Sequence, residues 1–462
     1  YSERLSITYP HNRGEHWAWV LETILGEWMG LSYDLKPHYE PFVQLDLAGH
    51  SFRVDADFLT ISEQNWLTPA SMPLLPLFEW TLPPLLQTPK TDSLLPVLFG
   101  QAEFCIDENL NARLGLDVFG SVFFMLSRYD ELVWQHSDKH DRYPGIESFL
   151  YKAGVLYRPL VDEYVDLLWK AMNIVWPNLQ RQQRSGGVVI TSDVDEPYER
   201  WIKNPFFLSK GIAGALLKRK SPKIAWRRIR NYLTSQKGNY RFDPNWNFDW
   251  YMSLCEQHGL KAYFYFIATP GVKGEDAIYN LEEPRILKLL RDIHDRGHLI
   301  GLHGSYQTYR NKNLLSVERK RLQMACDQAG VDQEITHNRQ HFLRWRAEIT
   351  PDCLEEAGFT VDSSGGYADQ AGFRFGTAHE FRMWSWVVKQ PLKIRQKPLI
   401  VMENSVLSPS GMGKTSSQDI LHFMYELREK SLSFGGDFVL LWHNSNIRNE
   451  ADKEILWLLL RT

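Results

Sequence analysis

Cysteine is scarce in this chain, and what there is does not pair. The four cysteines, Cys105, Cys255, Cys326 and Cys353, lie far apart and form no C-x-x-C. A disulfide framework or a zinc knuckle is therefore excluded from the expectation, and a reducing compartment fits. Long apolar runs are lacking too: none approaches the roughly eighteen residues that mark a spanning helix. The opening stretch, YSERLSITYPHNRGEHW, has no basic segment followed by an apolar one, so no signal peptide is expected. Neither sign of charge dominates. With 52 Lys and Arg against 56 Asp and Glu, the net charge is −4, which excludes bulk attraction to nucleic acid. There is no internal repeat and no low-complexity tract. The expectation is a soluble cytoplasmic protein, with room for peripheral contact with the inner membrane through one basic segment.

Two catalytic patterns are missing as well. PSGMGKTS at 409–416 contains Gly-Lys-Thr, but a phosphate loop needs a glycine where Ser408 stands. No cysteine nucleophile or Ser-His-Asp pattern stands out either.

Aromatics are plentiful. Of 462 residues, 44% are hydrophobic, and there are 17 Trp and 20 Tyr. That is enough for a sizeable core in two or three domains, and aromatics in such number suit sugar-binding clefts as well as cores. Residues 1–185 mix a helical stretch, HWAWVLETILGEWMG, with strand-like alternation around Gly49. A proline-rich stretch that reads as loop follows, then two helical ones, LDVFGSVFFMLSRYDEL and LVDEYVDLLWKAMNIVW. This predicts a smaller α+β N-terminal accessory domain. LQRQQRSGG at 179–187 is the boundary candidate. From 186 to 462, short apolar strands alternate with amphipathic helices, which predicts βα units and a parallel sheet or barrel. Pro284 marks a helix start, and Gly297 an end with Arg296 in the last turn.

An insertion at 198–245 breaks the rhythm, with seven Lys or Arg between 218 and 230. It reads either as a solvated helix pair or as a contact with an anionic surface or a lipid-linked substrate.

In α/β architectures, chemistry gathers at the C-terminal ends of parallel strands. The first strand, VVITSDVDEPYER, ends in Asp193, Asp195 and Glu196. Two carboxylates on one face of a strand need a cation or a shared proton. That suggests one ligates a metal and the other acts as a base. HLIGLHGS ends in His303, with His298 on the opposite face. RQHFLRW contributes Arg339, His341 and Arg344, and 339 and 341 share a face. The loop VDSSGGYADQAGFRFGT offers Asp362, Tyr367 and Arg374, and DFVLLWHNSN ends in His443, a candidate general acid. The set suits metal-assisted hydrolysis.

The order of these motifs resembles the NodB-type polysaccharide deacetylases. It is closest to a bacterial branch associated with surface polysaccharides, in which DVD, GLH-x-SY, RQH-x-LR, GYAD-x-x-GFR-x-GT and WHN recur. The resemblance covers about 186–462. Residues 1–185, with FFMLSRYDE and LVDEYVDLL, look like the N-terminal domain that accompanies that branch. It implies a distorted (β/α) barrel of about seven strands, a divalent metal, usually zinc, and hydrolysis of an N-acetyl group from an amino sugar.

Residue by residue, the resemblance makes Asp193 the base, Asp195 and His303 metal ligands, Arg339 the arginine that holds the base, and His443 the general acid. Tyr367, Arg374 and Trp442 are its candidate substrate contacts. The chain departs from the family at Val194, which separates the two aspartates, and at Gln307, where a third histidine ligand is usual. The prolines that usually follow the arginine are missing as well. His341 is the candidate replacement ligand, with Gln307 and Glu196 as weaker ones. The expected partner is a carbohydrate, free or lipid-linked. A weakened barrel that binds glycan or scaffolds an assembly enzyme, and a hydrolase of another C–N bond such as a cyclic amide, remain alternatives.

Overall fold

The computed structural model describes residues 4–461. The alternation at the start of the chain becomes a six-stranded sheet. β1 (Leu5–Pro10) lies between β2 (Tyr33–His38), parallel to it, and β3 (Phe42–Leu47), antiparallel. β3 closes a hairpin with β4 (His50–Asp55). The turn is Ala48-Gly49, with φ of 51° and 81°. A two-residue turn with both positions left-handed matches the twist of the strands it joins, which is why glycine serves there. Val43, Leu45, Phe52 and Val54 point into the core from alternate positions.

The proline-rich stretch, expected as loop, contains β5 (Phe78–Thr81), which pairs antiparallel with β6 (Leu94–Val97) beyond it. β7 (Gly100–Ile106) and β8 (Ala112–Leu116) complete the sheet, in the order β2-β1-β3-β4-β8-β7. The helix Val118–Leu126 is buried along its whole length. Asp117 caps it, accepting from the Gly120 amide at 2.8 Å and from those of Asp57 and Phe58 at 2.9 and 2.8 Å. The segment 179–187 has no helix or strand.

The second sheet opens with β9 (Val188–Val194), β10 (Tyr263–Phe266) and β11 (Leu299–Gly304). It continues with β12 (His337–Gln340), β13 (Val361–Asp362), β14 (Phe381–Ser385) and β15 (Gln390–Gln396). β16 (Val401–Met402) and β17 (Phe438–Leu441) complete it. The order is β14-β15-β13-β12-β11-β10-β9-β17-β16. Every neighbouring pair is parallel except β14 with β15. Parallel strands are covered on both faces, so they read as continuous apolar runs; Phe438–Leu441 is buried throughout.

The sheet cannot be flat. β15 and β16 stand seven strand spacings apart, which at ~4.8 Å each is about 34 Å. Yet Gln396 and Val401 are joined by residues 397–400, which together span at most about 18 Å. The sheet therefore curls back on itself. Among the described residues no backbone ladder joins β16 to β15. The architecture is a curled mixed α/β sheet of eight parallel strands and one antiparallel edge strand, where about seven strands in a barrel were expected. The hairpin β14–β15 and the two-residue β16 are too short or too mixed to register as apolar runs.

The N-terminal third closes over the edge strand. The Trp19 indole N–H donates to the Arg382 carbonyl at 3.0 Å, and Trp28 to that of Glu380 at 3.2 Å. The insertion forms two helices, Pro205–Ala213 and Pro222–Ser235. Each begins with a proline behind a capping residue, Asn204 and Ser221. Among the described residues, no helix is long and apolar enough to cross a membrane.

Candidate metal centre

The C-terminal ends of β9, β11, β12 and β17 converge inside the curl. β9 carries Asp193 on its last turn of pleat, and the chain leaves the strand at Asp195. Alternate residues of an extended segment share a side, so both carboxylates face the interior while Val194 is buried in the core. Asp193 is buried; Asp195 keeps part of its side chain open to solvent.

Arg339 enters from β12, three strands away. Its side chain is fully buried and crosses the interior that the curl creates. Nη1 donates to Asp193 Oδ1 at 3.2 Å, and Nη2 to Thr191 Oγ1 at 3.0 Å and Ser363 Oγ at 3.2 Å. A buried carboxylate thus has a buried counter-charge.

His303, at the end of β11, has its orientation fixed. Nδ1 lies 2.7 Å from the Arg339 carbonyl. A carbonyl only accepts, so Nδ1 carries a proton and the ring turns its Nε2 inward. That nitrogen meets Asp195 Oδ1 at 3.2 Å and Asp193 Oδ2 at 3.5 Å. His303 Nε2 and Asp195 Oδ1 are both buried without a hydrogen-bond partner. Two such atoms, dehydrated, unpartnered and 3.2 Å apart, call for something positive between them, a proton or a metal cation.

His341 completes the group. Its Nε2 lies 3.5 Å from Asp195 Oδ1, and its Nδ1 2.8 Å from Asp276 Oδ1. Burial opposes a charged ring here, but the Asp195 and Asp276 carboxylates outweigh it and push the imidazole up to about 9. Asp195 is likewise penalised by burial, yet His341 and His303 hold its carboxyl well below the usual range. The donor atoms of Asp195, His303 and His341 lie within 4.8 Å of one another. Two imidazoles and a carboxylate are a zinc-type donor set. Bonds of about 2.0–2.1 Å in a tetrahedron put donors roughly 3.3–3.4 Å apart, close to the 3.2 and 3.5 Å separations from Asp195 Oδ1. The residues fit a divalent ion.

His443 stands opposite. Its Nε2 lies 3.5 Å from Asp195 Oδ2, and its Nδ1 2.6 Å from Glu403 Oε1. Burial disfavours its charge, but Glu403 and then Asp195 push it up to about 10. Glu403 is fully buried, and Asn446 Nδ2 also donates to it at 2.6 Å.

Asp193, Asp195, His303, His341 and His443 line a cleft of about 620 Å³. The N-terminal third supplies part of its rim, with Lys139, His140 and Arg142. Arg344 holds that rim: its Nε donates to the His140 carbonyl at 2.6 Å, and its guanidinium stacks 3.9 Å from the Tyr306 ring.

The structure thus brings together Asp193, Asp195, His303, Arg339, His341 and His443. It does not bring Gln307 or Glu196 to the donor group. Gln307 is exposed in the turn after β11, and Glu196, one residue out of phase with Asp195, is exposed beside Asn245.

The three expected substrate contacts are also corrected. Trp442 is fully buried, with its indole N–H on the Asn446 carbonyl at 3.2 Å. Tyr367 and Arg374 are buried against Glu131: the Tyr367 hydroxyl donates to Oε1 at 3.0 Å, and Arg374 to Oε1 and Oε2 at 3.0 and 2.8 Å. They hold the 363–377 loop to the N-terminal third.

Sequence reasoning missed Asp276 and Glu403. Glu403 directly follows β16, so the strand-end rule would have found it had that strand been recognised. Asp276 lies in a loop well past β10 and leaves no periodic signal.

Residues 5–177 match a family of unknown function, DUF7033. No curated protein matches the chain. Among solved structures it is similar to a candidate polysaccharide deacetylase from Mycobacterium smegmatis, with 16% identity and a TM-score of 0.38 over 60% of this chain and 84% of that one. It is also similar to an allantoinase, at 13% and 0.37 over 62% and 85% of the two chains. A polysaccharide deacetylase from Bacillus cereus gives 11% and 0.29 over 60% and 87%. Likeness at this level is too weak to carry an activity or a substrate to this chain.

Proposed function

We propose that the chain is a metal-dependent hydrolase that removes an N-acetyl group from an amino sugar in surface-polysaccharide biosynthesis. The observation that carries the metal is the buried, unpartnered face-to-face pair of His303 Nε2 and Asp195 Oδ1. Asp195, His303 and His341 would hold the ion, and two imidazoles with a carboxylate suit zinc. When bound, such an ion supplies Lewis acidity and lowers the pKa of water.

Amide hydrolysis needs a base for the incoming water and an acid for the amine that leaves. Asp193 has no ligand role forced on it and is held by Arg339 at 3.2 Å; it accepts the proton of the water. His443 is kept charged by Glu403 and points its remaining N–H into the cleft. It donates that proton to the departing nitrogen. The two groups come from neighbouring strands, β9 and β17.

The sugar and its N-acetyl group rest on the motif order DVD, GLH-x-SY and WHN. A polar cleft of about 620 Å³ suits one or two sugar rings. The test is to load the purified protein with zinc, cobalt or nickel and measure the metal content. Acetate release is then followed on a panel of N-acetylated sugars beside a cyclic amide. Metal uptake with acetate release is expected. Ring opening of the cyclic amide alone would make this a different C–N hydrolase, and no metal uptake even in excess would leave a binding or scaffolding protein.

A further inference from the structure

The insertion after β9 is built inside out. The helix Pro222–Ser235 buries Ala225, Arg228, Asn231 and Ser235. Arg228 donates to the Gly211 carbonyl at 2.5 Å and lies over the Trp201 ring at 4.4 Å. Asn231 donates to Asp243 at 2.9 Å. Polar groups therefore do the packing. Lys223, Trp226, Arg230 and Leu233, three or four residues apart, form the outward face. Trp226 is 62% exposed and Leu233 58%. The preceding helix and turn add Phe206 at 61% and Leu217 at 78%. Large apolar side chains this exposed, clustered on one short segment, mark an interaction surface.

Charge identifies the partner. Between Arg200 and Phe242 there are twelve Lys or Arg and no Asp or Glu, so the rest of the chain holds 40 basic against 56 acidic residues. Arg227 pairs with Glu199. Among the described residues no ion pair engages Lys210, Lys218, Arg219, Lys220, Lys223 or Arg230. Exposed aromatic and aliphatic groups interleaved with unpaired cations suit the boundary between headgroups and acyl chains of an anionic bilayer. A soluble polyanion would answer the cations but leave Leu217 and Trp226 without a role.

We infer that the helix pair 205–235 is a docking surface for an anionic lipid bilayer. The site is tied to it. Asn444, next to His443, donates to the carbonyls of Glu196 and Asn245 at 3.0 and 2.8 Å, and so pins both ends of the insertion to the rim of the cleft. A chain docked this way works at the surface where lipid-borne glycans reside.

The test needs no turnover, so its failure is separate from failure of the hydrolase reading. The full chain is floated with vesicles of phosphatidylcholine alone, or with one-third phosphatidylglycerol, at low and high salt. Binding to the anionic vesicles, weakened by salt, is expected. Lys218→Gln/Arg219→Gln/Lys220→Gln should lower partitioning on the order of a hundredfold. Leu217→Ser/Trp226→Ser should lower it about tenfold with the salt dependence kept. All five positions are exposed, and circular dichroism checks that both variants fold. The inference is overturned if the parent stays in solution with anionic vesicles at low salt. It is equally overturned if the apolar double variant binds as well as the parent and a soluble sulfated polysaccharide competes, which would assign the segment to a polyanion.

Discussion

Arg374 grips both oxygens of Glu131, a residue 243 positions earlier, at 3.0 and 2.8 Å, with both side chains out of water. Breaking one side of such a pair leaves a buried charge alone and costs about 3–5 kcal/mol. Glu131→Gln should lower unfolding free energy in denaturant by that amount, and Arg374→Met by less, because Arg128 Nε still lies 3.4 Å from Glu131 Oε1. The double variant should lose less than the sum, because neither charge is then stranded. Full additivity would show that the two residues do not act as a pair.

Asp195→Ala and His303→Ala should each abolish metal uptake, measured by elemental analysis after dialysis. His443→Ala should keep the metal and lose turnover by about 10²–10⁴. Metal retained in either of the first two variants would show the donor assignment to be wrong.

Asp276 would act on a bound ion through His341, whose Nδ1 lies 2.8 Å from its Oδ1. Partners of this kind fix the ring and its basicity, and losing one weakens metal affinity roughly 10–100-fold. Asp276→Asn should show that loss by competition with a chelator, with turnover restored by excess metal. An unchanged affinity would reduce Asp276 to a loop anchor.

Glu403 stands behind His443 as Asp276 stands behind His341. Glu403→Gln removes the charge that keeps the imidazole protonated. Metal content should stay the same, while the rate falls and its upper pH limit moves down. A lower rate with an unmoved pH profile would mean that Glu403 only packs.

Much of this was legible because buried parallel strands are short apolar runs with polar ends. VVITSD, LIGLHG and FVLL announced themselves, and reading what followed each one gave Asp193, Asp195, His303 and His443. β16 did not announce itself, since two residues make no pattern, and Glu403 was lost with it. The loop 363–377 misled for a physical reason. Its glycines, Tyr367 and Arg374 look like a ligand-binding loop, but the charge is already spent on Glu131, a partner no local window contains. His341 was visible as a donor, yet its fitness as one depends on Asp276, which only the folded chain brings within reach.

The indoles of Trp19 and Trp28 take up the carbonyl of Arg382 in the edge strand β14 and that of Glu380 just before it. An exposed strand margin is a template for pairing with any passing chain. The N-terminal third therefore covers that part of the strand. A shortened chain beginning at residue 186 would keep the candidate donor residues but lose part of the cleft rim and present that margin bare, and would be expected to associate with copies of itself.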